Sequence, residues 1–127
     1  MSNGANFASY LVGGRLDPPF MPTKTDPYIE GTIIESQGGK NDSKLVVTED
    51  CELLSIAVGV SDYEPKDYWN LYVGDKLVCR NIFTKDVPEG MYLTAVIPCK
   101  AGTQFHLEYF NVGGKPKFVW VNYQMLK

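Results

Sequence analysis

From residue 30 onward, apolar and polar positions alternate in short runs, the pattern of strands that turn one face to a core. In 68–73, Trp69, Leu71 and Val73 fall on one side and Tyr68, Asn70 and Tyr72 on the other. In 104–110, Phe105, Leu107 and Tyr109 alternate with Gln104, His106 and Glu108. The last run sets Val119, Val121, Tyr123 and Met125 against Phe118, Trp120, Asn122 and Gln124. The most apolar stretch is 51–60. Its glycine, its valines and its length favour a buried strand over a helix, and its alternation places Leu54, Ile56 and Val58 in the core. Turn residues punctuate the series at Gly74-Asp75, which predicts a tight hairpin, and at Pro88-Glu89-Gly90, Ala101-Gly102 and Gly113-Gly114. The reading is eight strands in residues 30–127, an all-β, two-sheet, jelly-roll-like (Greek-key) β-sandwich.

Residues 1–29 read differently, as an extended N-terminal arm. Phe7, Tyr10 and Leu11 have helical spacing over one turn that Gly13-Gly14 would end. Pro18, Pro19, Pro22 and Pro27 then impose extended backbone. Phe7, Tyr10, Leu11, Phe20 and Met21 are too few and too scattered to form a core of their own, so they are the candidate partner-binding residues of a strap that needs a surface to cover it.

The length, 127 residues, suits one ordinary domain, and 44% hydrophobic residues with 21% charged fit a packed core rather than disorder. A formal net charge of −3, with no cluster of Lys or Arg, argues against nucleic-acid binding and against a basic membrane patch. No apolar run approaches the roughly 18 residues that cross a bilayer. The opening Met-Ser-Asn-Gly-Ala-Asn has neither the basic start nor the apolar stretch of a secretion signal, so synthesis and first folding in the cytoplasm are expected. Cys51, Cys79 and Cys99 are an odd count at wide spacing, which points to buried free thiols.

Little in the chain promises catalysis. The one histidine, His106, sits at an outward strand position and belongs to no motif of hydrolase or zinc chemistry. The glycine pairs lack the strand-to-helix setting of a phosphate cradle. The loop Ser61–Asp67 offers carboxylates that could suit calcium, but it lacks the EF-hand spacing and carries Lys66. No catalytic residue, metal or cofactor is therefore assigned.

The outward aromatics are more informative. Tyr68, Tyr72, Trp120 and Asn122 mix rings with an amide, which suits either stacking on sugars or cover by a protein surface. The runs Tyr68-Trp69-Asn70-Leu71-Tyr72, Ile82 through Gly90 and Lys117 through Tyr123 resemble small structural proteins of tailed phages and prophages over residues 60–127. That resemblance implies a virion component, such as a tail, baseplate or head-decoration subunit, and it transfers no catalytic motif. The expectation is a non-enzymatic assembly subunit that self-associates as a homo-oligomer or docks on other virion subunits through its arm. The alternative is a carbohydrate-binding module.

Overall fold

The computed structural model describes residues 21–85 and 89–127. They form eight strands and no helix: β1 (Pro27–Ser36), β2 (Gly39–Val46), β3 (Cys51–Val60), β4 (Tyr68–Val73), β5 (Lys76–Phe83), β6 (Glu89–Cys99), β7 (Gln104–Asn111) and β8 (Lys117–Leu126). No helix among the described residues is long and apolar enough to cross a membrane.

The topology follows from one long nested hairpin. β4 pairs with β5 across Gly74-Asp75, β3 with β6, β2 with β7 and β1 with β8, all antiparallel. Gly74 adopts φ 61 at the first central position of the two-residue turn, where a type II′ hairpin requires glycine. Rolling this hairpin over itself brings β8 beside β3 and β7 beside β4. Two four-stranded sheets result, ordered β1-β8-β3-β6 and β2-β7-β4-β5. This is the jelly-roll arrangement expected from the sequence.

The core lies between the sheets. Val119, Val121, Tyr123 and Met125 of β8 face Phe105, Leu107 and Tyr109 of β7 and Trp69 and Leu71 of β4, all buried. The Phe105 and Tyr123 rings meet across the gap at 4.9 Å. Period-two alternation holds without a break along β4, β7 and β8.

Strand β3 departs from the expected phase. Its register to both neighbours shifts between Leu53 and Ser55, which marks a β-bulge at Leu54. The extra residue reverses the alternation: Cys51 and Leu53 are buried before it and Ile56 after it, whereas Leu54 and Val58 are only half-buried. Full burial holds for Ile56 and fails for Leu54 and Val58.

The sandwich also begins slightly earlier than residue 30. β1 starts at Pro27, and Asp26 exchanges two backbone hydrogen bonds with Lys127. Thr23 and Lys24 are tied in through Glu52, so the last residues of the segment read as an arm are part of the body.

Candidate functional site

The two outer sheet faces differ in kind. On sheet β1-β8-β3-β6, the outward residues of β1 and β8 make an apolar strip. Ile33 is 57% exposed and stands directly opposite Trp120, which is 42% exposed. Gly59 on β3 is the other neighbour of Trp120, so no side chain covers the ring from that strand. Phe118 lies 6.5 Å from Trp120 between ring centres, and Ile29 is exposed farther along β1, opposite Gln124 and separated from Ile33 by Gly31.

Toward the Leu126 end the same face turns polar. Asn122 sits opposite Gly31, and its Oδ1 would lie 2.5 Å from a Cβ at that position, so a side chain there would push the amide aside. Ser55 Oγ donates to Gln124 Oε1 at 2.8 Å.

On sheet β2-β7-β4-β5, the outward residues form cross-strand rows. Tyr68 stacks on Phe110 at 4.6 Å with planes 12° apart and meets Phe83 at 5.7 Å on its other side. Both flanks of the Tyr68 ring are thus occupied by neighbouring rings. Tyr72 stacks on His106 at 5.7 Å.

Beside these rings lies a polar row. Asn70 Nδ2 donates to Glu108 Oε1 at 3.2 Å, Lys40 Nζ reaches Glu108 Oε2 at 3.1 Å, and His106 Nε2 lies 2.7 Å from Asp42 Oδ1. Asn81 takes a left-handed φ of 54, and its N–H donates to Asn70 Oδ1 at 2.7 Å. Desolvation pushes the Glu108 carboxyl up, but the bonds from Asn70 and Lys40 and the Lys40 charge outweigh it and leave it below the ordinary value.

The four residues singled out as one aromatic and amide face are therefore divided. Tyr68 and Tyr72 lie on one sheet, and Trp120 and Asn122 lie on the opposite outer surface. Of the arm residues, Met21 is exposed, and Phe7, Tyr10, Leu11 and Phe20 lie outside the described residues.

His106 faces outward as expected, half-buried. Asp42, His106 and Glu108 each offer a ligand atom within 4.8 Å of the others. Part of the negative charge of Asp42 and Glu108 is already met by Lys40, which is 3.9 Å from Asp42 as well as paired to Glu108. The arrangement is an ion-pair network with the donor types of a divalent-cation site and a resident ammonium within it.

The loop weighed for calcium does different work. Asp67 is fully buried, and Oδ2 accepts from Tyr109 Oη at 2.8 Å and Lys117 Nζ at 2.5 Å, while Oδ1 accepts from the Val112 N–H at 2.7 Å. Asp62 pairs with Lys115 at 3.4 Å. Burial pushes Asp67 up, but Lys117, Tyr109 and Val112 together hold it below the usual carboxylate range. This carboxylate joins the β3–β4 loop to the ends of β7 and β8.

Glu52 plays the matching part at the other end. Nearly inaccessible, it accepts from the Thr23 N–H at 2.9 Å, Thr23 Oγ1 at 2.6 Å and the Lys24 N–H at 2.9 Å. Desolvation raises its carboxyl, and these three donors with the Lys24 charge bring it below the ordinary value. The root of the N-terminal segment is thereby fixed beside the first residues of β3.

Sequence reasoning passed over Glu52 and weighed Asp67 only as a loop carboxylate for calcium, because the partners of both lie 28 to 50 residues away along the chain. It also passed over Ile29 and Ile33. Ile33 is followed by Ile34, and the doubled isoleucine hides which of the two faces out.

No curated protein and no solved structure matches the chain. One family model does match, over residues 24–127, from the lysine held by Glu52 through the last residue of the sandwich. The chain belongs to the family described as Domain of unknown function (DUF8551).

Proposed function

We propose that this protein is a non-enzymatic assembly subunit whose copies associate through the outer face of sheet β1-β8-β3-β6, with residues 1–20 of one copy lying on that face of the next. The observation that carries this reading is the apolar patch of Ile33, Phe118 and Trp120, three large side chains left in water on two paired strands, with Ile29 exposed farther along β1 beyond Gly31. Scattered apolar residues are ordinary on a surface, but a contiguous patch marks a place of contact.

The occupant is supplied by the chain itself. Residues 1–20 carry Phe7, Tyr10, Leu11 and Phe20, and twenty residues at about 3.3–3.6 Å each can span well beyond the ten residues of β8. Pro18, Pro19 and Pro22 stiffen the lead into the body, which lowers the entropy lost on docking and favours an extended departure over a reversal onto the chain's own face. The resemblance of residues 60–127 to phage structural proteins supports a virion as the particle, with a tail, baseplate or head-decoration place for the subunit.

A second reading, carbohydrate binding, rests on Trp120 with Asn122 two residues along the same exposed face. Stacking at Tyr68 is disfavoured, since Phe110 and Phe83 already flank its ring.

Native mass spectrometry of the full chain and of a form lacking residues 1–20 separates these readings. Assembly predicts an oligomer for the first and a folded monomer for the second. A full chain that stays monomeric at tens of micromolar and binds on a glycan array through Trp120 selects the carbohydrate reading instead.

A further inference from the structure

We propose that Cys51 and Cys99 are a site of reversible covalent modification, closing a cross-strand disulfide when the chain meets a low-molecular-weight disulfide such as oxidised glutathione. The two residues are direct partners across the antiparallel pair β3–β6. Opposed residues in such a pair have Cα atoms about 4.5 or 5.5 Å apart, and both spacings fall within the roughly 4.4–6.8 Å that a disulfide spans. Both side chains are buried, and Cys99 Sγ donates to the Ile97 carbonyl of its own strand at 3.3 Å. The third cysteine, Cys79, lies on β5 in the opposite sheet and is no part of the pair.

The setting gives such a bond something to hold. Among the described residues β6 is an edge strand that pairs only with β3. Its described register reads Cys51 with Cys99, Glu52 with Pro98 and Leu53 with Ile97, then jumps at the bulge to Ser55 with Tyr92. Three residue pairs thus secure the C-terminal part of β6, and one of them contains a proline that has no N–H to donate. A disulfide at Cys51–Cys99 would pin this thinly laddered strand one residue from Glu52, which holds the root of the N-terminal segment.

The exchange balances in two steps. The Cys51 thiolate attacks one sulfur of the small disulfide and expels one thiolate, leaving a mixed disulfide. The Cys99 thiolate then attacks the Cys51 sulfur and expels the second. The two protons lost by the cysteines go to the two released thiols, so the protein is oxidised by two electrons and the reagent reduced by two. Burial, and then the neighbouring Cys51, push the Cys99 thiol up to about 12, so few thiolates form in the closed fold and exchange waits on opening of β6.

The test uses the full chain with Cys79→Ala, refolded from denaturant in a glutathione redox buffer so that access to the thiols does not limit the reaction. Expected is a monomer lighter than the reduced protein by two hydrogen atoms, with no alkylatable thiol, a peptide map joining Cys51 to Cys99, and a melting temperature above that of the reduced form. Refolded protein that keeps two alkylatable thiols, or that carries glutathione on Cys51 or Cys99 without closing the bond, overturns the proposal. So does an oxidised form that melts below the reduced one.

Discussion

Asp67 and Lys117 face each other at 2.5 Å, with neither side chain more than marginally open to solvent, where the β3–β4 loop meets the first residue of β8. The pair closes one end of the roll, and Tyr109 and Val112 satisfy the carboxylate's remaining acceptor sites. A buried ion pair adds little over a well-packed apolar pair, but removing one partner leaves the other charged and dry.

Lys117→Met should therefore destabilise the fold by about 3–5 kcal/mol, the range for an uncompensated buried charge. Urea denaturation of the variant checks this. A change within experimental error would mean that water reaches Asp67.

Acid should weaken the fold in a definite direction. Asp67 and Glu52 both have folded-state carboxyl values below the ordinary one. A group depressed in this way contributes stability that is fully present above the unfolded carboxylate value of about 4 and is lost as pH falls through the folded value. The denaturation midpoint should hold steady above that region and drop below it. Glu52→Gln should lower the plateau and flatten part of the acid limb, while Glu52 itself remains the anchor only when ionised.

The root of the N-terminal segment gives a local readout of the same carboxylate. The Thr23 and Lys24 amides should exchange with deuterium slowly in the native chain, because both donate to Glu52. In Glu52→Ala they should exchange at least tenfold faster, since a lost charged hydrogen bond is worth about 1.5–3 kcal/mol. Equal rates in the two proteins would show that Glu52 does not hold the segment.

The bulge in β3 separates two adjacent leucines. Leu53→Ala should cost about 2–5 kcal/mol through lost burial and a cavity, and Leu54→Ala less than about half of that. Leu53 is wholly buried and Leu54 half-exposed at the register shift. Thermal or chemical denaturation of the two variants measures the difference, and the reverse order would place the bulge elsewhere.

This contrast shows where the sequence is readable. β4, β7 and β8 carry large apolar residues at every second position, so Trp69, Phe105 and Val119 announce both strand and face. In β3 nearly every residue is apolar or small, so nothing local marks the extra residue, and the phase fixed from Ile56 carries backward wrongly to Leu54. Turn chemistry at Gly74-Asp75 is local and legible. The pairing of Cys51 with Cys99, the capture of Lys117 by Asp67 and the separation of Tyr68 from Trp120 onto opposite faces are products of the roll. They depend on which strands become neighbours, and no short window of residues encodes that.

The assembly account is tested most directly by sedimentation velocity of two surface variants alongside the full native chain. One carries Ile33→Lys and Trp120→Lys on the outer face of β1-β8-β3-β6. The other carries Phe83→Lys on the outer face of β2-β7-β4-β5, which is also exposed at 57%. All three positions point into water, so circular dichroism should report intact sheets in both variants. The account predicts an oligomer for the native chain and for Phe83→Lys, and a monomer for the double variant. A native chain that sediments as a monomer, or a double variant that keeps the native oligomeric state, contradicts it.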